Sequence, residues 1–239
     1  MKAKHRPCMV WAWQLWLSPR PARRTATTSE PSLLAAHDAA LFEFLKDEDD
    51  RWVVQETHYI GNKVVRDGLS GPPLLKPLHL SRHIHWLQKE YFKVERGVIG
   101  IHKDGQELRA TKADGIVEIP AGTRHRFWAH ASSQEDLVFK VWAEPQGLDH
   151  SFDENFLRNF VGYHRDCEKA NIQPSVFQVI LFGYNSATIA TPPFWVPLWI
   201  LKLVHYILAY WVGAALLGCE TTICPTDCQR VDMLTSCRW

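Results

Sequence analysis

Two short stretches of this sequence contain the kinds of side chain that bind divalent metal ions. In the first, His83-Ile84-His85 places two imidazoles two residues apart, and Glu90 follows five positions later. Residues i and i+2 of a β-strand point to the same face, so both imidazoles can reach one ion. Glu90 is an odd number of positions beyond His85, and we therefore expect a turn at residues 86–89 that brings its carboxylate to the same side.

The second stretch, residues 120–125, reads PAGTRH. Pro120 restricts φ and Gly122 permits a tight return, so His125 is expected to open a strand that also carries Phe127. Three imidazoles and one carboxylate inside a β-barrel suit a borderline divalent ion, whereas Ca(II) and Mg(II) prefer more oxygen ligands. The sequence thus predicts one metal site formed by His83, His85, Glu90 and His125.

The elements that must position these ligands are predicted to be β-strands. From Trp52 to residue 145 the chain consists of short β-branched and aromatic runs separated by turn signals. Asp-Gly pairs at 104–105 and 114–115 are typical of tight returns between antiparallel strands. Many short strands without an internal repeat indicate an all-β protein with a single barrel.

Strand periodicity also predicts which side chains lie beside the ion. On the strand that follows the predicted turn, Glu90, Phe92 and Val94 share one face. Together with Phe127, Phe92 and Val94 are expected to line a substrate pocket. An apolar, aromatic wall favours an aromatic or polyketide-like substrate over a sugar phosphate, which would require more cationic groups.

The segments HIHWLQKEYFKVERG and DGIVEIPAGTRHRFWA resemble the two motifs of the cupin superfamily. The first motif is matched by His83, His85, Glu90 and Gly97, and the second by Pro120, Gly122 and His125. The second motif departs from the family pattern at two positions: Asp114 stands where a Gly normally opens it, with Gly115 next, and Ala129 replaces the closing Asn. These positions shape turns, so the departures concern local geometry more than ligation.

The resemblance implies a cupin fold, that is, a double-stranded β-helix or jelly-roll barrel with flanking helices and a C-terminal apolar helix. It implies the same four metal ligands and one divalent ion, with Fe(II) expected first and Mn(II), Ni(II), Cu(II) or Zn(II) as alternatives. No family ligand position corresponds to the remaining histidines considered, which are His58, His79, His102 and His130.

The chain is also similar to cupin oxidases or oxygenases of fungal secondary-metabolite pathways. The function expected from this similarity is a metal-dependent oxidoreductase that acts on an aromatic or polyketide-like molecule; the resemblance assigns no catalytic residue. Two alternatives remain open. One is a metal-dependent isomerase or cyclase, and the other is a non-catalytic, membrane-associated binding cupin.

The domain organisation is read from changes in composition along the chain. We expect a disordered or targeting extension at 1–33, the barrel at 34–150 with its core at 55–145, a flanking helical or irregular segment at 151–190, a transmembrane or interfacial helix at 192–218, and a Cys-containing tail at 219–239. Within these segments, spacing predicts a short helix over Leu33–Leu45 and a helix containing Phe152, Phe156, Leu157 and Phe160. That helix and the apolar run Val176–Phe182 are expected to pack outside the barrel.

The apolar run Leu198–Gly218 has about the 20 residues that a helix needs to cross a hydrocarbon core. Lys202 and His205 are costly in hydrocarbon, although a lysine near one end can reach the interface. Spanning, interfacial and buried arrangements all remain open. We expect a membrane-associated protein with a cytoplasmic barrel.

Charge and cysteine content limit the partners of the protein. The 27 basic and 26 acidic residues leave a net charge of +1, which gives no field that would draw the chain to nucleic acid. Six cysteines are spread unevenly and resemble no secreted disulfide framework, so they receive no role. The expected partners are a small-molecule substrate and a membrane, and a homodimer is possible.

Overall fold

The computed structural model describes residues 12–21, 27, 30–66, 82–192 and 194–221, and the strands in this part of the chain form two antiparallel sheets. In chain order the strands are β1 (Ser32–Ala35), β2 (Ala40–Lys46), β3 (Trp52–His58), β4 (His83–His85), β5 (Lys89–Arg96), β6 (Ile99–Lys103), β7 (Gln106–Ala110), β8 (Ile116–Ile119), β9 (His125–Ala129), β10 (Leu137–Glu144) and β11 (Thr188–Ala190). One sheet has the order β1-β2-β3-β10-β5-β8, and the other has the order β11-β4-β9-β6-β7.

Helices lie mostly before and after the strands. They are α1 (Ala12–Leu17), α2 (Lys63–Arg66), α3 (Glu154–Lys169), α4 (Val176–Asn185) and α5 (Leu198–Tyr206), and α5 continues as a π-helix over Ile207–Leu216. We refer to the continuous element Leu198–Leu216 as the C-terminal helix.

The two sheets enclose one apolar core, as expected for a cupin barrel. Along β5, Glu90, Phe92 and Val94 are buried, while the residues between them are more exposed, which is the alternation predicted from the sequence. Both sheets and α3 contribute to the core cluster, which comprises Trp52, Val54, Phe92, Val94, Ile99, Ile101, Ala110, Ile119, Leu137, Phe139, Val141, Ala143, Phe152 and Leu157.

The helix predicted over Leu33–Leu45 is wrong, because this segment forms the hairpin β1–β2. Burial alternates along β1, where Leu33 and Ala35 are buried and pack against Val161 of α3. The hairpin extends the sheet beside β3 and so satisfies its backbone groups through ladder hydrogen bonds. This long-range pairing overrides the near-helical spacing of the leucines and phenylalanines.

The segment after the barrel strands was predicted to pack against the outside of the barrel, and for Phe152 and Leu157 this prediction is wrong. The predicted helix forms as α3 but begins at Glu154, so Phe152 precedes it. Phe152 and Leu157 both belong to the barrel core, where they pack with residues of both sheets. The same segment also contributes β11, which pairs with β4 and was not predicted.

The C-terminal helix has 19 residues with a mean hydropathy of 1.4, and by length and composition it is the one candidate for a membrane span within the described ranges. One such helix is weak evidence for a membrane protein.

Of the N-terminal extension, α1 is described, whereas His79 and the tail cysteines Cys224, Cys228 and Cys237 lie outside the described residues.

Gly97 supplies a test of the barrel geometry. Its φ is +79°, and an added Cβ would lie 3.0 Å from both the Asp136 carbonyl oxygen and the Leu137 Cα. Gly105 has φ +87° but open space around it. We expect Gly105→Ala to cost about 1 kcal/mol in free energy of unfolding, and Gly97→Ala about 3 kcal/mol, because only Gly97 adds a backbone clash to the strain. Urea unfolding measures both, and equal losses would contradict the close approach at Gly97.

Candidate metal centre

Strand β4 carries two of the four predicted ligands. His83 and His85 face the barrel interior, while Ile84 between them faces outward and is buried. Ile84 packs against Ile189 of β11 and Leu201 of α5. Because alternate strand residues point to opposite faces, this outer contact directs both imidazoles inward.

Glu90 reaches the same point from the opposite sheet. It lies on β5, opposite Ala143 of β10 on one side and Ile119 of β8 on the other. Both neighbours are apolar and buried, and Glu90 itself is only 1% exposed. A carboxylate in such surroundings requires a charged or hydrogen-bonding partner.

The segment that connects β4 of one sheet to β5 of the other is held in place by Gln88, whose side chain is buried. Its amide group donates to the Pro145 carbonyl at 2.9 Å, and its oxygen accepts from the Phe152 N–H at 2.7 Å. The predicted turn between His85 and Glu90 is therefore present, and it carries the chain from one sheet to the other. Sequence reasoning missed Gln88, because its partners lie more than 50 residues away along the chain.

His125 is placed by the turn that starts at Pro120. The Gly122 N–H donates to the carbonyl oxygen of His85 at 2.8 Å, which fastens this turn to the end of β4. Strand β9 then begins at His125, opposite His83 in the antiparallel register. The rings of His83 and His125 are 4.3 Å apart between centroids.

Hydrogen bonds determine which nitrogen each of two imidazoles presents to the cluster. His125 Nδ1 lies 3.0 Å from the Thr123 carbonyl, which can only accept, so Nδ1 carries the proton. Thr188 donates its hydroxyl proton to the Ser186 carbonyl and lies 2.9 Å from His85 Nδ1, so His85 donates from Nδ1 to the Thr188 oxygen. In the neutral form of both rings, Nε2 is left with a lone pair for a metal ion.

The four predicted ligands meet at one point. One ligand atom from each of His83, His85, Glu90 and His125 lies within 4.8 Å of the others. His125 Nε2 is 2.7 Å from Glu90 Oε2, and His85 Nε2 is 3.6 Å from Glu90 Oε1. Among the described residues, His85 Nε2, His125 Nε2 and Glu90 Oε2 have no partner with hydrogen-bond geometry. Buried atoms that converge without hydrogen bonding fit the ligands of a common ion.

The charges of the cluster also favour a cation. Burial acts to raise the pKa of Glu90, but the imidazoles of His85 and His125 outweigh it and hold this pKa well below its usual range. Burial acts to lower the pKa of His125, but the Glu90 carboxylate outweighs it and raises this pKa. The carboxylate is therefore ionised at neutral pH and stabilises positive charge at the centre of the cluster.

One aromatic side chain lies beside a predicted ligand, and two others lie on the strands that carry Glu90 and His125. Phe152 lies edge-on to His85 at 4.8 Å between ring centroids, and Phe92 lies 5.0 Å from Phe127. Phe92 and Val94 are fully buried in the barrel core, and Phe127 packs against it while partly exposed. Their role as a substrate pocket remains a prediction. Phe152 was missed as a neighbour of the ligands, because it lies beyond the last barrel strand in the sequence.

The other histidines lie apart from this cluster. His58 is buried and pairs with Glu56, with His58 Nε2 3.0 Å from Glu56 Oε2, and its ring packs against Phe127 and Phe139. His102 and His130 are partly exposed. Within the described part of the chain, the cluster at His83 is the one group of three or more side chains that could hold a metal.

Loss of any predicted ligand should weaken metal binding. We expect metal content near one ion per chain in the wild type, and affinity at least about tenfold lower in the Ala variants of His83, His85, Glu90 and His125. His130→Ala should bind normally. Metal analysis after dialysis against a weak chelator measures this, and unchanged content in the Glu90 and His125 variants would contradict the site.

Thr188 gives a sharper test, because its hydroxyl is the hydrogen-bond partner of the predicted ligand His85. Thr188→Val keeps the branched shape but removes the acceptor for His85 Nδ1, and metal affinity should fall about 10- to 100-fold. Thr191→Val is the matched control, since the buried Thr191 hydroxyl has no hydrogen-bond partner among the described residues. Equal affinity of the two variants in a competition titration with Zn(II) would show that Thr188 does not orient the imidazole.

Comparison with known proteins gives clear relatives. The chain is 66% identical over 210 residues to the probable oxidoreductase virH of Hypocrea virens, which covers 88% of this chain and 92% of that protein. It is 52% identical over 213 residues to the oxidoreductase iacF of Pestalotiopsis fici, which covers 88% of this chain and 100% of that protein. No family model matches the chain.

Among solved structures, a sugar phosphate isomerase of the cupin superfamily from Silicibacter pomeroyi matches with a TM-score of 0.33 and 21% identity, over 53% of this chain and 72% of that one. This match is too loose to bear on function. The two facing antiparallel sheets, the two motifs and the fungal relatives agree with one another. The chain belongs to the family that includes the fungal proteins virH and iacF, and its sheets and its two motifs resemble those of the cupin superfamily.

Proposed function

We propose that this protein is a metal-dependent oxidoreductase that acts on an aromatic or polyketide-like small molecule in secondary-metabolite biosynthesis. The observation that carries the proposal is the convergence of three imidazoles and one carboxylate at one point, with the Phe152 ring beside His85 and further phenyl rings in the adjoining core. The names of virH and iacF, both called oxidoreductases, support a redox reaction.

One divalent ion would be held by His83, His85, Glu90 and His125. Nitrogen and carboxylate donors suit Fe(II), which we propose first, and the same donor set accepts Mn(II), Ni(II), Cu(II) or Zn(II). A redox-active ion at such a site would supply a binding position for a substrate oxygen or for dioxygen, and a route for electrons between the substrate and dioxygen.

The protein's own residues determine what can bind beside that ion. Three neutral imidazoles and one carboxylate offset only one of two positive charges, so an anionic oxygen such as a phenolate or enolate is favoured. Phe92, Phe127 and Phe152 exclude water and offer faces and edges to an aromatic ring. These features together support a phenol- or polyketide-like substrate.

The side of approach is proposed from the burial of the ligands. His85, Glu90 and His125 are at most 3% exposed, whereas His83 is only half-buried. A substrate would therefore reach the cluster past His83. The protons held on His85 Nδ1 and His125 Nδ1 keep their Nε2 atoms directed at the cluster throughout.

We also propose that the apolar segment 192–218 attaches the protein to a membrane, with the barrel in the cytoplasm. Its support is the hydropathy and length of the C-terminal helix, together with the exposure of many of its large apolar side chains.

The redox proposal is tested by exchanging the metal. Anaerobic protein reconstituted with Fe(II) should consume dioxygen when it is given the right member of a panel of phenolic and polyketide substrates. Protein loaded with Zn(II) should not, since zinc keeps one oxidation state. Glu90→Gln should lower the rate at least about 100-fold, because the charge and one ligand atom are both lost.

Other outcomes would favour the alternative functions. Equal turnover with Zn(II), without dioxygen, would show a metal-dependent isomerase or cyclase. Tight metal binding without turnover by any metal across the panel would favour a binding protein with a structural ion, because four protein ligands can close a tetrahedral site.

A further inference from the structure

The C-terminal helix presents an unusual outer surface. Trp199, Leu203, Ile207 and Trp211 follow one another at intervals of four residues, and their exposed fractions are 68%, 52%, 44% and 67%. Trp195, just before the helix, is 76% exposed. We call these five residues the aromatic face. Contiguous exposed apolar surface of this kind marks a site of interaction with a partner or a membrane.

The opposite surface of the same helix is packed against strands β4 and β11 in its first half and against α4 in its second half. Its buried residues also recur every fourth position and are Leu201, His205, Ala209, Gly213 and Leu217. In an α-helix such a stripe would rotate by about 40° every four residues, because each residue turns about 100°. The change to the wider π-helix after Tyr206 counteracts this rotation and keeps the stripe on one side.

Both halves of the helix are held in place by specific contacts. In the first half, Leu201 packs against Ile84 of β4. In the second half, an added Cβ on Gly213 would lie 3.3 Å from the Phe177 carbonyl oxygen, and the Tyr210 hydroxyl donates to Asn185 Oδ1 at 2.6 Å. Crossing a bilayer would require the helix to leave β4 and α4 and to expose both surfaces.

Cationic side chains lie near the aromatic face, and the C-terminal helix itself carries no acidic residue. No Asp or Glu occurs between Lys169 and Glu220. Lys202 lies on the helix with its Nζ 5.1 Å from the centre of the Trp86 ring, and Arg124 donates to the carbonyl oxygens of Phe194 and Val196. A cationic border around an apolar, tryptophan-rich surface complements the anionic headgroups and the acyl boundary of a phospholipid membrane.

The short helix α1 lies close to the far end of the C-terminal helix. Trp16 is 81% exposed, and Ser18 after the helix donates to Ser175 at 2.6 Å. Arg20 donates to the carbonyl oxygen of Leu217. These contacts place α1 beside the end of the C-terminal helix and add a second exposed tryptophan region and another cation.

We propose that the aromatic face docks on an anionic phospholipid membrane with the C-terminal helix lying in the plane of the interface, not across the bilayer. The inference rests on the membrane attachment proposed above and specifies its geometry. Because Ile84 lies between His83 and His85 and packs on this helix, the docked membrane would lie about one helix diameter, roughly 10 Å, from the strand that carries two metal ligands.

The test uses the full-length protein and vesicles of phosphatidylcholine with one-fifth phosphatidylserine. The wild type should sediment with these vesicles, bind less to pure phosphatidylcholine and be released by an alkaline carbonate wash. Trp199→Gln combined with Trp211→Gln should weaken binding at least about tenfold. The matched control combines Ile116→Gln with Leu108→Gln, two exposed apolar residues on β8 and β7, and should bind within twofold of the wild type.

The outcomes separate the geometry from the attachment itself. Binding that survives the alkaline wash would overturn the in-plane arrangement and leave membrane attachment standing. The absence of vesicle binding would overturn both the in-plane geometry and the membrane attachment. If light scattering then shows a wild-type dimer that is lost in the tryptophan variant, the aromatic face serves self-association. Thermal unfolding and metal content of each variant confirm that the barrel is intact, and neither result bears on the redox proposal.

Discussion

The Glu90 carboxylate lies on one sheet of the barrel, and the imidazoles of His85 and His125 that face it at 3.6 and 2.7 Å lie on the other. An isolated carboxylate in this apolar core would cost several kcal/mol, so a register that sets the histidines opposite Glu90 is strongly favoured. A slip of one residue in β4 or β5 would turn these side chains to the outer surface. The same interaction thus selects the strand register and assembles the candidate metal centre.

Elements outside the barrel strands hold this register. Ile84 anchors the outer side of β4 on β11 and α5, and Thr188 of β11 accepts a hydrogen bond from His85. Gln88 fastens the crossing between the sheets. The C-terminal third of the chain is therefore part of the support of the ligands, and a disturbance of the C-terminal helix is transmitted to them through one strand.

Local patterns in the sequence were sufficient to predict the strands of the barrel, the inward phase of β5 and the four side chains that converge at the candidate metal centre. A period of two along a strand is a property of neighbouring residues, so it could pair His83 with His85 and place Glu90 on the same face as Phe92 and Val94. Thr188, Gln88 and Phe152 could not, because each acts through a partner more than 50 residues away. No local spacing encodes such contacts.

Two further differences between the predicted and the observed structure also arise from contacts between distant parts of the chain. The segment Leu33–Leu45 has helical spacing, yet it gains more by pairing with β3 than an isolated short helix could. Hydropathy identified the C-terminal helix but could not show that one side of it packs on β4, β11 and α4 while the other remains exposed, since the residues on both sides are mostly apolar.

The geometry of the metal centre is tested most directly by X-ray absorption spectroscopy of the full-length protein loaded with one equivalent of Zn(II). The structure predicts scattering from three imidazoles and at least one oxygen at about 2.0–2.2 Å and no sulfur. A sulfur shell at about 2.3 Å would show that the ion binds to cysteines. Such a result, or a shell of water oxygens without imidazole, would contradict a metal centre formed by His83, His85, Glu90 and His125.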